Sequence, residues 1–361
     1  MDHNLGVLDP VIPGIFPESL RRHPTPLRVM PGAPASTAGK VVPSVTDRIQ
    51  HIAVVGAGYM GGGIAQVLAM AGFDVVIVDA DSAATRRHLD RLRREAEDFE
   101  AQGLFDAGSA DLVRANLRAA DSLPEAVAEA DLIEEAVLEQ PEIKGPVLKS
   151  IEAAARPEAI IGSNTSTLPI GDLAANLTRA ERFLGIHFSN PAPFIPGVEL
   201  IAHTATDEAV VQAVETVVAR TGKLSARVND KAGFVLNRLQ YVLLKEAINL
   251  VEEGVATAED IDIVVRTTFG YRLPFFGPFA IADMAGLDVY QDCFRTLEDH
   301  YGERLAAPAM LTELVDTGRY GVKQGGGFVI PAGDQARLIE YRNAAYAKLG
   351  QLLRDLGPAP R

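Results

Sequence analysis

Two polar residues interrupt runs that otherwise read as buried strands, and their types suit acid–base catalysis. His187 lies near the end of RFLGIHF, and Asn190 follows three residues later. Glu199 lies 12 residues beyond His187, inside the apolar run VELI. An imidazole is a suitable general base near neutral pH, and a carboxylate can orient it and stabilise its charged form.

A cluster of hydroxyl and amide side chains follows another predicted strand. It comprises the four residues of SNTS, which are Ser163, Asn164, Thr165 and Ser166. Ligands bind at the carboxyl ends of strands in an open parallel sheet, so this cluster can meet His187 there. A lone histidine in such a place is more often structural. A histidine with a nearby glutamate and this cluster favours catalysis.

The stretch GAGYMG fits the pattern G-x-G-x-x-G and predicts a dinucleotide site. It lies between a predicted strand and a predicted helix, and Asp79 ends the next strand, 23 residues after Gly56. Gly56 permits the tight turn, Gly58 lets the backbone approach a pyrophosphate, and Gly61 allows close packing of helix on strand. Asp79 would accept hydrogen bonds from the adenosine ribose and repel a 2′-phosphate, which favours NAD over NADP. Met60 belongs to the same predicted set; the alternative is a glycine-rich turn with a solvated aspartate.

Short apolar runs alternate with helical stretches from His51 to Val228. The predicted strands are HIAVV, DVVIVD and the segments 132–137, 159–163, 182–188 and 198–202. Such alternation is typical of a parallel sheet covered by helices on both faces. After Val228 helical patterns dominate. The predicted fold is therefore α/β, a Rossmann-type doubly wound sheet followed by an all-helical C-terminal domain.

These patterns predict four segments. Residues 1–46 form a proline-rich extension and linker, 47–228 an NAD-binding domain, 229–331 a helical substrate and dimerisation domain, and 332–361 a final helix. The predicted helix 233–253 is apolar over most of its circumference, so it must be covered on more than one side. We predict a homodimer through the C-terminal helices; the alternative is that the extension covers this helix.

The composition limits the classes of partner. There are 34 basic and 48 acidic residues, and the net charge of −14 argues against nucleic acid and anionic membrane surfaces. No run reaches the roughly 18 apolar residues of a membrane-spanning helix, and the start of the chain lacks signal-peptide features. The single cysteine, Cys293, cannot form an internal disulfide and fits a cytoplasmic location. No metal site is predicted.

In seven stretches the sequence resembles the 3-hydroxyacyl-CoA dehydrogenase family. They are GAGYMGGGIAQ, DLIEEAVLEQPEIK, SNTSTLPI, HFSNP, VEL, GFVLNRL and GVKQGGGF, within residues 50–330. The resemblance implies an NAD-binding domain, a helical domain through which subunits dimerise, and an active site in the cleft between them. The implied reaction removes a hydroxyl proton while hydride leaves for NAD.

The resemblance also implies roles for individual residues. His187 matches the general base of the family, and Glu199 matches the carboxylate that orients it. Three residues match groups that polarise the substrate oxygen, namely Ser166, Asn190 and Asn237. Positions that line the nicotinamide and its ribose are matched by Glu139 and Lys144.

Departures from the family leave the substrate open. The chain has Ala232 where the family usually has proline, and its first helical hairpin carries acids where the family offers basic side chains to CoA, namely Glu95, Glu97, Asp98 and Glu100. Other stretches are closer to gulonate and carnitine dehydrogenases. We predict oxidation of a β-hydroxyl in an acyl thioester or related acid, with poor use of ordinary free acyl-CoA. The alternatives are a free hydroxy acid, an acyl group on a carrier protein, and a non-catalytic, crystallin-like relative.

Overall fold

One eight-stranded sheet organises the N-terminal part of the chain. The computed structural model describes residues 49–333 and 335–359, so the predicted extension over residues 1–46 lies outside the described residues. The strands are arranged in the order β3-β2-β1-β4-β5-β6-β7-β8. Their bounds are β1 His51–Val55, β2 Asp74–Val78, β3 Leu117–Ala119, β4 Leu132–Glu135, β5 Ile160–Ser163, β6 Phe183–Phe188, β7 Gly197–Ala202 and β8 Leu224–Asn229.

Helices in the connections cover both faces of this sheet. They are α1 Tyr59–Met70, α2 Ser82–Ala101, α3 Ser109–Asn116, α4 Leu123–Val127, α5 Pro141–Ala154, α6 Ile170–Ala174 and α7 Glu208–Arg220. One core cluster includes Ile52 and Val54 with Ile64 of α1, and the other includes Ala53 with Leu148 of α5. Every residue of β4, β5 and β6 is buried, as expected for strands covered on both faces.

The strand β7 departs from the predicted parallel arrangement. β6 and β7 pair antiparallel, and β7 and β8 then pair parallel. The connection from β6 to β7 is residues 189–196, which is shorter than the dozen or more residues that a parallel crossover needs. The prediction of a parallel sheet is therefore wrong at this edge. The sequence analysis also missed β3, which has three residues, and β8, which is mostly exposed.

Helices alone follow β8 in the described part of the chain. They are α8 Leu236–Glu252, α9 Ala258–Thr267, α10 Pro278–Ala285, α11 Leu287–Tyr301, α12 Ala309–Asp316 and α13 Gln335–Leu356. A small core includes Leu287 and Leu311, and the buried carboxylate of Asp283 accepts the amides of residues 328–330. No described helix is long and apolar enough to cross a membrane. The cytoplasmic location stays a prediction.

Two adjacent glutamates end β4 and face opposite sides of the sheet. Glu134 is aligned with Val54 and Gly162 on the α1 face. It is buried, and neither of its carboxyl oxygens has a hydrogen-bond partner among the described residues. Burial raises the pKa of the Glu134 carboxyl well above its ordinary value, the nearby Glu135 adds to this, and Lys144 opposes it. The folded chain therefore keeps the Glu134 proton to a higher pH than the unfolded chain does.

Replacing Glu134 by methionine should stabilise the fold, because the side-chain volume is kept and the unpaired polar atoms are removed. As the pH rises above 4.5, the unfolded chain loses the Glu134 proton that the folded chain keeps, so folding becomes less favourable. We expect Glu134→Met to raise the free energy of unfolding by about 1–3 kcal/mol near pH 7.5, and by less near pH 5. Glu134→Gln should remove only the pH dependence of the free energy of unfolding that Glu134 causes, because glutamine keeps the polar atoms but does not titrate. Urea unfolding at both pH values measures the differences, and a methionine variant less stable than the parent at pH 7.5 would contradict this account.

Candidate active site

His187 and Glu199 form a buried pair across the antiparallel strands β6 and β7. They lie directly opposite each other in the register, a position that brings side chains on one face into contact. His187 Nδ1 lies 2.8 Å from Glu199 Oε2. The exposed fractions are 4% for His187 and 9% for Glu199. Glu199 thus reaches the carboxyl end of β6 because β7 begins there.

The second oxygen of Glu199 binds the start of the helical part of the chain. Glu199 Oε1 accepts hydrogen bonds of 3.0 Å from the amides of Val235 and Leu236, where α8 begins. Burial alone would raise the pKa of the Glu199 carboxyl, but the His187 hydrogen bond and these two amides outweigh it, and the pKa lies below its ordinary value. Glu199 is therefore an ionised acceptor. We assign the Nδ1 proton of His187 to this hydrogen bond, which leaves the Nε2 lone pair to act as a base.

A turn at residues 233–234 points these amides toward Glu199. Gly233 has a φ of 74° and Phe234 a φ of 47°, so both lie in the left-handed region. This conformation is costly for a bulky residue and persists only where the surroundings enforce it. Phe234 is buried, and its ring centroid lies 5.9 Å from that of His187. The strained residue therefore packs against the base that the turn helps to orient.

Most side chains of the SNTS loop form hydrogen bonds that fix the loop to the neighbouring strands. The Ser163 hydroxyl donates to Glu135 at 2.6 Å, and Asn164 Oδ1 accepts the amide of Phe188 at 2.8 Å. The Thr165 hydroxyl donates to Glu139 at 2.7 Å. The Ser166 hydroxyl has no hydrogen bond within the described residues. Ser166 thus carries the one hydroxyl of the cluster that has no partner in the described part of the chain, and this hydroxyl is available to a substrate.

Lys144 is fully enclosed beneath this loop. Its exposed fraction is 1%, and its Nζ lies 2.8 Å from Glu135 Oε1 and 3.5 Å from Glu139 Oε2. Glu139 also accepts the amides of Ser166 and Thr167. Burial opposes ionisation of Glu139, but the Thr165 hydroxyl, these amides and Lys144 together lower its pKa. Lys144 and Glu139 therefore hold the SNTS loop against β4.

The sequence analysis missed Glu135, whose carboxylate joins Lys144 to Ser163. The signal was present, because DLIEEAV places two acids inside an apolar run. A charge in such a run must be paired or neutralised when the run is buried. Glu135 is paired with Lys144, whereas Glu134 is buried without a partner among the described residues and its pKa is raised.

The two predicted asparagines lie in different environments. Asn237 is buried in the first turn of α8, and its amide donates to the backbone oxygen of Ser166 at 2.7 Å. It thus ties α8 to the SNTS loop. Asn190 is exposed just beyond the end of β6. The structure brings Ser166 and Asn237 into contact, and it leaves Asn190 without a hydrogen bond in the described part of the chain.

The glycine turn has the geometry that a pyrophosphate requires. Gly56 has a φ of 94°, and a Cβ there would lie 2.7 Å from the carbonyl oxygen of Ala136. A Cβ at Gly61 would collide with the carbonyl of Gly56. At Gly58 a Cβ would meet no atom within 4 Å, so the backbone there faces open space. The amides at the start of α1 can therefore approach phosphate oxygens, and the residues fit a dinucleotide.

Asp79 and Met60 lie at the edges of this turn. Asp79 Oδ2 accepts the amide of Ala57 at 2.9 Å. This contact holds the carboxylate beside the turn, where the adenosine ribose of a dinucleotide would lie. Met60 is half-buried and packs against the core on the α1 face. Its side chain therefore contributes to packing, and its contact with the cofactor stays a prediction.

Together, the sheet, the glycine turn and the buried histidine–glutamate pair define a dinucleotide-dependent dehydrogenase with an appended helical part. Family models agree with this class. Residues 51–231 match the NAD-binding domain of 3-hydroxyacyl-CoA dehydrogenase, and residues 233–330 match the C-terminal domain. The chain belongs to the 3-hydroxyacyl-CoA dehydrogenase family and is an NAD-dependent dehydrogenase of the hydroxyacyl type.

Similar proteins include enzymes with different named substrates. A 5-formyl-3-hydroxy-2-methylpyridine 4-carboxylate 5-dehydrogenase from Mesorhizobium japonicum is 35% identical over 299 residues, 82% of this chain and 95% of that protein. A probable 3-hydroxybutyryl-CoA dehydrogenase from Bacillus subtilis is 36% identical over 290 residues, 78% of this chain and 96% of that protein. The crystal structure of a 3-hydroxyacyl-CoA dehydrogenase from Archaeoglobus fulgidus has a TM-score of 0.71 at 31% identity, and covers 85% of this chain and 99% of its own.

Proposed function

We propose that this enzyme oxidises a β-hydroxyl group to a carbonyl, with His187 as the general base and Glu199 as the carboxylate that orients it. The observation that carries the proposal is the buried His187–Glu199 pair, whose geometry leaves His187 Nε2 without a partner in the described part of the chain. The bound NAD⁺ would supply the hydride acceptor. Its phosphates would lie on the amides at the start of α1, beyond Gly58, and its adenosine ribose beside Asp79.

The protein's own part in the reaction is to move one proton and stabilise one oxygen. His187 Nε2 takes the hydroxyl proton as the hydride leaves, and the Glu199 carboxylate stabilises the imidazolium that forms. The hydroxyl of Ser166 and the amide of Asn190 can donate to the oxygen that becomes the carbonyl. Asn237 positions Ser166 through its hydrogen bond to the Ser166 backbone. Glu139 and Lys144 support the nicotinamide side of the site by holding the SNTS loop.

Removing the base or changing its partner should slow the chemical step. We expect His187→Ala to lower kcat by roughly 10²–10⁴-fold, the usual contribution of a general acid–base group. In Glu199→Gln the amide would donate to Nδ1 and force the proton onto Nε2, so kcat should also fall, while NADH affinity stays near normal. His203→Ala is the matched control, because His203 follows the far end of β7 and binds the carbonyl of Ala180, which precedes β6. Single-turnover kinetics would refute the assignment if either site variant kept near-normal rates.

A second question is whether CoA itself contributes to binding. The hairpin of α2 and α3 contains no lysine. Four of its arginines are engaged: Arg86 with Asp121, Arg91 with Glu95, Arg93 with the carbonyl of Leu117, and Arg114 with Glu97 and Asp111. Arg87 and Arg94 are the two remaining arginines, and both are exposed. This small number of free cations supports weak binding of the CoA phosphates.

The repulsion expected from the four acids of the hairpin is weaker than their number indicates. Glu95 and Glu97 are paired with arginines, and Glu100 accepts the amide of Ala110 at the start of α3. Asp98 alone of the four has no partner within the described residues. The argument against free CoA therefore rests on missing attraction more than on repulsion. The similarity to a dehydrogenase whose named substrate is a pyridine carboxylate favours the alternative of a small free acid.

Comparison of thioesters tests this proposal. We expect acetoacetyl-CoA and its N-acetylcysteamine thioester to have kcat/KM values within about tenfold of each other, since tenfold corresponds to 1.4 kcal/mol of productive binding to the missing part. Free acetoacetate and the same acyl group on a carrier protein are the further arms. A CoA ester that is more than tenfold better would restore an ordinary acyl-CoA substrate. No turnover of any of the four would favour the non-catalytic alternative.

We also propose that the chain forms a homodimer through its C-terminal helices. Along α8 only Asn237 is buried. The exposed apolar residues of this helix are Leu239, Tyr241, Val242, Leu243, Leu244, Ile248 and Val251. Solvation of so many apolar side chains on one helix is unfavourable, and contiguous patches of this kind mark interaction sites. The α8 helix of a second copy of the chain would cover these side chains with the same apolar residues.

Light scattering measures this directly. We expect twice the chain mass of 38.5 kDa at micromolar concentration, and we expect Val242→Glu to give the single mass because it places a charge in the covered face. Leu112→Glu on α3 is the control, since Leu112 is exposed but far along the chain from α8. Removal of residues 1–46 should leave the dimer intact. A monomeric parent protein would contradict the proposal.

A further inference from the structure

Two backbone donors and one imidazole lie around the Asp79 carboxylate. The amide of Ala57 donates to Oδ2 at 2.9 Å, and the amide of Ala80 donates to Oδ1 at 2.7 Å. His88 Nε2 lies 3.6 Å from Oδ2, within ion-pair distance but beyond a hydrogen bond. Two backbone amides and an imidazole thus surround a single anionic side chain at the carboxyl end of β2.

The first turn of α2 holds His88 in this place. Asp81 caps the helix by accepting the amide of Ala84 at 2.7 Å. The Thr85 hydroxyl is buried, donates to the Asp81 carbonyl and accepts the amide of Asp79 at 2.9 Å. Since residues three apart on a helix lie on the same side, His88 follows Thr85 on the side that faces Asp79. The His88 side chain remains 32% exposed, so its ring also borders solvent.

The other cations near this helix turn are directed elsewhere. Arg91 Nη1 binds both oxygens of Glu95, and its Nη2 lies 3.3 Å from the carbonyl oxygens of Ala57 and Gly58. Arg86 is paired with Asp121, and Arg87 is exposed. In the described part of the chain, His88 is the one side chain able to carry a positive charge that lies within ion-pair distance of Asp79.

We propose that His88 belongs to a phosphate-binding pocket beside the adenosine ribose, which Asp79 keeps blocked. Together with the amides of Ala57 and Ala80 it forms an anion pocket, and Asp79 fills that pocket with its own carboxylate. The enzyme therefore rejects the 2′-phosphate of NADP because the pocket is already occupied and the occupant is negatively charged, although donors suited to a phosphate are present. This inference rests on the proposed place of Asp79 beside the adenosine ribose.

The pocket should open when the carboxylate is removed. In Asp79→Ser the two amides and His88 are released, and we expect kcat/KM for NADPH to rise at least about 50-fold while that for NADH falls about tenfold. Adding His88→Ala should then lower kcat/KM for NADPH about tenfold, equivalent to 1.4 kcal/mol, and leave NADH within about twofold. His88→Ala alone should leave kcat/KM for NADPH as low as in the parent enzyme, because Asp79 still fills the pocket. The effect of His88 on NADPH thus depends on whether Asp79 is present, which a double-mutant cycle detects.

Binding measurements separate the pocket from the catalytic step. Fluorescence titration of each variant with NADPH and NADH gives dissociation constants that do not depend on turnover, and the NADPH constants should follow the same order. Arg94→Ala in the Asp79→Ser background is the matched control, because Arg94 is an exposed cation further along the same helix. It should leave NADPH binding within about twofold. Asp79→Asn, which keeps an acceptor for the Ala57 amide, serves if the serine variant does not fold.

Two results would overturn the proposal, and they can be told apart. If neither Asp79 variant changes the preference between NADH and NADPH, the place of Asp79 beside the ribose is wrong, and the role of His88 falls with it. If an Asp79 variant gains NADPH binding but His88→Ala does not reduce that gain beyond the Arg94 control, His88 has no part in the pocket. Asp79 then keeps its place beside the ribose.

Discussion

The Glu199 carboxylate is the contact on which the active site depends. One oxygen orients His187, and the other accepts two amides at the start of α8. A single ionised group therefore connects the antiparallel edge of the sheet to the helical part of the chain. Because the same charge orients the base and receives the helix start, any displacement of α8 would change the environment of His187. The orientation of His187 and the position of α8 therefore depend on the same carboxylate.

A second level of support comes from charges buried under the SNTS loop. Lys144 neutralises Glu135, and Glu135 in turn binds Ser163. Removing one partner of a buried ion pair leaves an uncompensated charge, which is why such pairs are rarely separable from the fold. The family-derived position of Lys144 beside the nicotinamide is compatible with this, since Glu139 links Lys144 to the backbone of Ser166. Support for the loop and support for the cofactor then come from the same side chains.

In the proposed binding mode, the pyrophosphate and the adenosine ribose of the dinucleotide are bound by different physical means. At the pyrophosphate, backbone amides and an open glycine position would provide space and partial charge, and Arg91 lies beside the carbonyl oxygens of Ala57 and Gly58 in the same turn. At the ribose, we propose that the Asp79 carboxylate occupies two backbone donors that a ligand anion would otherwise use. The choice between NAD and NADP would then depend on which group occupies the pocket at the ribose, whereas affinity at the pyrophosphate would depend on the shape of the backbone.

The sequence by itself determined the features that depend on neighbouring residues. The glycine turn needs only a strand, three glycines and a helix start, so GAGYMG and Asp79 were sufficient to predict it, and the resemblance to the family supplied the rest of the candidate site. Register, in contrast, depends on how distant segments pair. His187 and Glu199 were predicted to converge, but their direct opposition follows from the antiparallel β7, which parallel-sheet reasoning did not predict.

Tertiary structure alone decided which charged groups are free to act. From the sequence, the acids of α2 were expected to repel the CoA phosphates. In the structure, Glu97 is paired with Arg114 of α3, and Glu100 accepts an amide at the start of α3. Similarly, Glu134 and Glu135 are adjacent identical residues, and the face that each occupies leaves Glu134 unpartnered with a raised pKa and pairs Glu135 with Lys144. The reason is physical: the state of a charge depends on burial and on partners within a few ångströms, and in a folded chain those partners come from residues far apart in sequence.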